Sequence, residues 1–343
     1  MTEAEQAMSG ALVPGTTVRR ARPLPSRPSK PGTMGRARRD ASEGSKRNSW
    51  TRAADPGELW EACRVPWIPE LFSAPALAKI EDRLRREGLD TVPYFAGFLT
   101  GETNALVESF AGEPEVHYPV RGRVKGAQAF AAYAAATKAW LEEREASVED
   151  LGVLRTKRRS VGEAVLHLGG DDGRVDLSVA IVADQRPDAR IEEVRIYYSN
   201  WPLTGRHANR PPVLQPDPEL RVPDVVGEYQ RALAAGDLDA ILASFEPGGY
   251  ACEPAGGGYV HRAPEGLRDF YGWLFSNEGG IPLEHCAAAD DGRACALEYN
   301  VVWWGQTELP PEAGIAVYVR GESGKLAAAR IYDDIDPPLS PPT

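Results

Sequence analysis

Cysteine is scarce in this chain: four among 343 residues, at Cys63, Cys252, Cys286 and Cys295, with no CxxC pair. That spacing rules out a disulfide framework as the organising principle, and a reduced, cytoplasmic setting is the expectation. No run of about 18 apolar residues occurs, so no membrane-spanning helix is expected. No basic stretch followed by an apolar one opens the chain, so secretion is not expected. No GxGxxG follows a strand-like segment, and neither a phosphate-binding GxxxxGK[ST] loop nor a GxSxG elbow is present. Nicotinamide, ATP and serine-hydrolase chemistry therefore lack their usual signatures. His285, Cys286 and Cys295 do not fall at metal-ligand spacing, so neither a metal nor any other cofactor is expected.

The formal net charge is −11. It is unevenly spread: residues 1–50 hold ten Lys/Arg against four Asp/Glu, which leaves −17 on the rest. An acidic body is repelled by phosphate, so nucleic acid is not the expected partner. Residues 1–57, rich in Pro, Gly, Ser and Arg, lack apolar periodicity and read as a disordered basic tail. Residues 58–90 place Leu59, Trp60, Cys63, Leu77, Ile80 and Leu84 at helical spacings and read as a helical lead-in.

The remainder repeats. Shifted by 135 positions, Tyr94 meets Tyr229, Gly101 meets Gly236, Ser109-Phe110 meets Ser244-Phe245, and Arg195-Ile196-Tyr197 meets Arg330-Ile331-Tyr332. One offset at both ends points to duplicated whole domains, 91–203 and 224–337, followed by a short tail, 338–343. Between the domains, residues 204–223 carry enough proline to read as a stiff, extended connector.

In the second domain Asp224 is a candidate N-cap. Val225, Val226, Tyr229, Ala232 and Leu233 form one helical face, with Gly236 at its end. Asp237 caps a short second helix. Strand-like pieces at 250–254 and 259–262 follow, then a helix with Leu267, Phe270, Tyr271, Leu274 and Phe275 inward, and strands over 281–289, 293–304, 312–320 and 325–334. Helices followed by an antiparallel meander make an α+β cone, helices packed on one face of a curved sheet. In the first domain Phe130, Tyr133, Trp140 and Leu141 mark the long helix.

This order, with EYQRALAAGDLDAILASFEPGGYACEP followed by APEGLRDFY, resembles the NTF2-like (SnoaL-like, ketosteroid-isomerase-like) superfamily in two tandem copies. The second copy is most similar to its steroid Δ-isomerases. The resemblance implies a general base at the carboxylate before the proline, Glu253, and an oxyanion donor at Tyr229. It also implies a second donor where this chain has Ala316. Tyr118 stands in the first copy where Glu253 stands in the second, so that copy lacks the base. Tyr94, Tyr118 and His261 are candidate substrate-binding residues.

Two functions follow from these residues. One is a cofactor-free isomerase, cyclase, dehydratase or epoxide hydrolase acting on an apolar small molecule. The other is a non-catalytic module that binds a small molecule or a protein. A Glu253 carboxyl facing the Tyr229 hydroxyl would favour the first; a centre filled by Trp303, Trp304 or Phe275 would favour the second. The two copies are also expected to pack as an intramolecular pseudo-dimer, through the strand face of Tyr299, Val301 and Trp303.

Overall fold

The computed structural model describes residues 103–119, 122–169, 173–188, 190–254 and 259–339. The basic tail, the helical lead-in and Tyr94 lie outside the described residues. Two six-stranded sheets organise the rest.

The first sheet is built from β1 (Glu115–Tyr118), β2 (Gly122–Lys125), β3 (Ser147–Arg155), β4 (Arg159–Leu168), β5 (Val175–Gln185) and β6 (Ile191–Tyr197). Helices α1 (Thr103–Glu108) and α2 (Ala127–Glu143) belong to it. A one-turn helix α3 (Trp201–Thr204) precedes the proline-rich segment. The second sheet follows helices α4 (Asp224–Ala235) and α5 (Leu238–Ser244). It comprises β7 (Phe245–Cys252), β8 (Val260–Arg262), β9 (Leu283–Asp290), β10 (Ala294–Trp304), β11 (Thr307–Arg320) and β12 (Leu326–Tyr332), with α6 (Glu265–Leu274) between β8 and β9.

Local chemistry places these elements. The predicted face of α4 is the buried one, and Gly236 ends that helix at φ 68°. A side chain there would put its Cβ 2.9 Å from the Gly279 carbonyl carbon, so glycine serves both the left-handed turn and the close approach. The Asp237 carboxylate accepts from the Ala240 amide at 3.0 Å and caps α5. Asp224 falls one residue inside its helix, after Pro223, and its carboxylate accepts from the Val226 amide.

The strand orders are β2-β1-β6-β5-β4-β3 and β8-β7-β12-β11-β10-β9. Neither sheet is a pure antiparallel meander: β1 runs parallel to β6, and β7 to β12. In each sheet the chain leaves the first strand through a hairpin and a helix before the meander brings the last strand back beside it, the long crossover that a parallel pair requires. Registers repeat at the same offset of 135. Ala180 opposes Tyr197 as Ile315 opposes Tyr332, and Ala164 opposes Val179 as Tyr299 opposes Gly314.

Each sheet buries both faces. The inner face of the second sheet packs under its helices, through Tyr229, Leu267, Phe270, Leu297, Tyr299 and Tyr318 among others. The outer faces of the two sheets meet in one shared apolar cluster that includes Val161, Ala180, Val182, Ala296, Ile315 and Val317. The contact face of β10 is therefore that of Ala294 and Ala296. The expected Tyr299, Val301 and Trp303 face does not serve: Tyr299 and Val301 lie in the second sheet's own core, and Trp303 is exposed. Small side chains let the two sheets approach closely.

Charged groups cross this contact in both directions, and Arg159 of β4 stands 3.4 Å from Glu298 beside the two pairs that follow. Arg195 of β6 donates from Nε and Nη2 to the Glu298 carboxylate of β10 at 2.6 and 2.9 Å, and the Tyr197 hydroxyl donates to the same group at 2.7 Å. Reciprocally, Arg330 of β12 donates to both oxygens of Glu163 on β4, and the Tyr332 hydroxyl donates at 2.7 Å. The sequence separating Glu163 from Glu298 is the repeat offset, as it is for Ser199 and Asp334, whose hydroxyl and carboxylate bond at 2.7 Å. The proline-rich segment is a docked strap. Val213 packs on the shared cluster, Leu220 and Val222 on the second core, and the Arg210 carbonyl accepts from the Ala313 amide.

Removing one member of a buried pair strands the other charge, at a cost of about 3–5 kcal/mol, whereas replacing both is far milder. Arg330→Met should lower stability by that amount in urea denaturation, because Glu163 keeps only Tyr332. The double variant Arg330→Met/Glu163→Leu should recover most of the loss; a double variant as unstable as the single one would contradict this role.

Candidate active site

One end of the second sheet's inner face gathers titratable groups on neighbouring strands. Tyr299 on β10 opposes Gly314 on β11, and the register continues to Asp333, the residue after β12. Across this row the Tyr299 hydroxyl donates to Asp333 Oδ2 at 2.9 Å. Gly314 makes the bond possible. A Cβ at that position would lie 2.6 Å from the Tyr299 ring and 2.8 Å from the Asp333 Cβ, so only glycine lets the ring lie across the middle strand.

Two residues earlier on β11, Glu312 opposes Val301 and shares its inward face. Glu312 is 4% exposed, and its Oε2 has no hydrogen-bond partner. Burial pushes its carboxyl up to about 7; nearby Asp333, Asp334 and Asp336 add to the shift and His207 opposes it. Burial likewise pushes Asp333 up to about 6, the Tyr299 hydrogen bond pulling the other way. Asp334 points elsewhere and is satisfied by the Ser199 hydroxyl, His207 Nδ1 at 3.0 Å and the Ala208 amide at 2.6 Å.

Glu253 and His261, both singled out from sequence, come together. His261 Nε2 lies 2.5 Å from Glu253 Oε1, and its ring stacks on Phe270 with centroids 4.1 Å apart. Both side chains are partly exposed. Their strands place them toward the same end of the sheet as Asp333, since Cys252 pairs with Arg330 and Ala251 with His261.

Tyr229 does not join them. Its hydroxyl shares a 2.7 Å hydrogen bond with that of Tyr271, and both are fully buried. Beside it Gln230 donates to the Tyr318 hydroxyl at 2.8 Å and meets His285 at 3.3 Å. The Trp304 indole donates to the Leu274 carbonyl, closing the far end of this core. Tyr118 is a buried residue of the first core, its ring 5.0 Å from that of Tyr133.

Sequence reasoning passed over Glu312 and left Asp333 without a role. A signal was present: a lone glutamate entering the apolar run AGIAVYV, at even spacing from inward-facing Ala316 and Tyr318. The positions 135 earlier than Tyr299, Glu312, Gly314 and Asp333 are Ala164, Leu177, Val179 and Tyr198, so the first sheet has no such acid pair.

No metal was expected. Among the described residues, Glu115, His117 and Glu193 bring ligand atoms within 4.8 Å of one another. Arg123 and Lys125 already bind Glu115, and Arg195 binds Glu193, so cations of the protein itself hold these carboxylates. The Arg123 hydrogen bond holds Glu115 down at about 2. No helix among the described residues is long and apolar enough to cross a membrane.

The sequence matches no protein-family description, and no curated protein is similar to it. Solved structures resemble parts of the chain. An uncharacterised cystatin-fold protein from Novosphingobium aromaticivorans is 18% identical over 31% of this chain and 93% of its own, with TM-score 0.28. A SnoaL-like protein of unknown function from Burkholderia thailandensis is 20% identical over 31% and 88%, with TM-score 0.27. The epoxide hydrolase/cyclase-like enzyme SalBIII, from work on pyran ring formation in the polyether salinomycin, is 15% identical over 35% and 90%, with TM-score 0.26.

Both raised carboxyls bind protons in the native state that the unfolded chain releases above about pH 4. Their contribution therefore falls as pH rises from that point to about 7, and stays lost above it. Glu312→Gln should match the wild type at pH 4 and exceed its stability by about 1–3 kcal/mol at pH 8, measured by urea denaturation. Equal stability at pH 8 would mean that Glu312 is not strained by ionisation.

Proposed function

We propose that the chain carries two tandem NTF2-like modules, packed as an intramolecular pseudo-dimer, and that the second performs cofactor-independent acid/base chemistry on an apolar small molecule. The observation that carries this reading is the buried, unpartnered Oε2 of Glu312 beside the Tyr299–Asp333 pair. A carboxyl near 7 gives up and takes back a proton at neutral pH, which is what general acid/base work requires. Glu312 is the base that removes a proton from a substrate carbon or hydroxyl. The Tyr299–Asp333 pair supplies a hydroxyl and a partly protonated carboxyl to steady the oxygen where charge develops. Glu253 with His261 stands at the rim as a second proton-accepting pair, a change from the sequence assignment of Glu253 as the central base opposite Tyr229. Isomerisation, cyclisation, dehydration and epoxide opening all need only these groups.

A second reading, a binding module without turnover, draws on the closed Tyr229–Tyr271 pair and the buried Trp304, which fill the centre where the sequence had placed the oxyanion donor.

A panel of small ketones, enones and epoxides, read by product mass spectrometry, separates the two. Glu312→Gln should cut turnover roughly 10²–10⁴-fold, the range for loss of a positioned acid/base. Glu253→Gln should cost less than about tenfold, because its carboxylate is engaged by His261 at the rim. Turnover unchanged in Glu312→Gln, or absent in the wild type across the panel, would leave the binding reading in its place.

A further inference from the structure

Several buried or half-buried carboxylates among the described residues are matched by arginine, and Asp334 by a serine hydroxyl, His207 and a backbone amide. Glu298 has Arg195, Glu163 has Arg330, Asp184 has Arg159 and Arg195, and Asp290 has Arg320. Glu312 and Asp333 break this pattern. Among the described residues no lysine or arginine bonds to either: Asp333 is held by the neutral Tyr299 hydroxyl and the Ile335 backbone, and Glu312 Oε2 by nothing. His207, the imidazole that opposes this negative charge, is hydrogen-bonded to Asp334. Asp334 and Asp336 add negative charge nearby.

Leaving a buried acceptor unpaired costs more than a hydrogen bond is worth, so its persistence points to a partner from outside the chain. The partner must carry positive charge and donate a hydrogen. It must also be largely apolar, because Val301 and the Tyr299 ring flank the carboxyl on the same face. A multidentate metal fits less well: the metal-ligating groups that cluster among the described residues lie at Glu115, His117 and Glu193, on the first sheet.

Resting on the acid/base reading of this site, we propose that its ligand is an apolar molecule bearing one ammonium group, and that the ammonium donates to Glu312 Oε2. The first sheet, with Leu177 at the corresponding position, offers no such acceptor.

Calorimetric titration of the full chain at pH 6.5 with benzylamine, and with benzyl alcohol as its neutral counterpart, tests this. The amine should bind saturably and at least tenfold more tightly than the alcohol. Binding should release protons, seen as heats that differ between buffers of unlike ionisation enthalpy, since the ammonium displaces the proton on the carboxyl. Glu312→Gln should lose at least tenfold for the amine and nothing for the alcohol. Leu177→Ala, on the first sheet, should leave amine binding unchanged. Equal affinity for amine and alcohol, no binding of the amine at millimolar concentration, or full amine affinity in Glu312→Gln would each overturn the proposal. Acid/base turnover of neutral substrates that still depends on Glu312 would survive any of these results, so the two readings fail separately.

Discussion

Two bidentate arginine–glutamate pairs, each reaching across to the opposite sheet, set the terms for the rest of this molecule. Arg195 and Arg330 are each flanked by an apolar contact made of alanine, valine and isoleucine, and each is held with a tyrosine hydroxyl on the same carboxylate. A guanidinium that deep stays charged, and its desolvation is offset only while its carboxylate stays in bidentate register. The pairs therefore fix the sheets laterally, where a purely apolar face would tolerate sliding. Because the outer faces are used in this way, each sheet's inner face, under its own helices, is left for function.

With nearly equal scaffolds, the two sheets differ in what they do with that inner face. The first fills the corresponding positions with Ala164, Leu177, Val179 and Tyr198. The second places Tyr299, Glu312, Gly314 and Asp333 in the same register. The result is a site whose carboxyls resist ionisation and, among the described residues, bond to no lysine or arginine. Such groups lower stability where they stand, and local frustration of this kind is characteristic of functional surfaces. The strap from Gly205 to Pro223 takes part through His207, whose ring holds Asp334 at the cluster's edge.

Much of this was legible from residues alone. The helical faces of α4 and α6, the Gly236 stop, the Asp237 cap and the repeat offset all depend on local spacing, and each appears where spacing puts it. What spacing could not give was which face of β10 meets the other sheet, because the face that does so carries Glu298 and Asn300, polar residues that alternation alone would assign to solvent. The pairing of Tyr299 with Asp333 was hidden for a different reason: it crosses three strands through a glycine, and register between strands is not written in either strand. Glu253 and Tyr229 show the opposite limit. Their positions along the chain suit a base and an oxyanion donor, yet each side chain found a closer partner, His261 and Tyr271.

Everything proposed for this site requires that Glu312 and Asp333 exchange protons near neutrality. Carbon-13 NMR titration of the side-chain carboxyls, assigned with Glu312→Gln and Asp333→Asn, measures it directly. Midpoints near 7 and near 6 are expected, each shifted downward when the other acid is replaced by its amide. Two carboxyls that both titrate near 4, indifferent to each other, would contradict it.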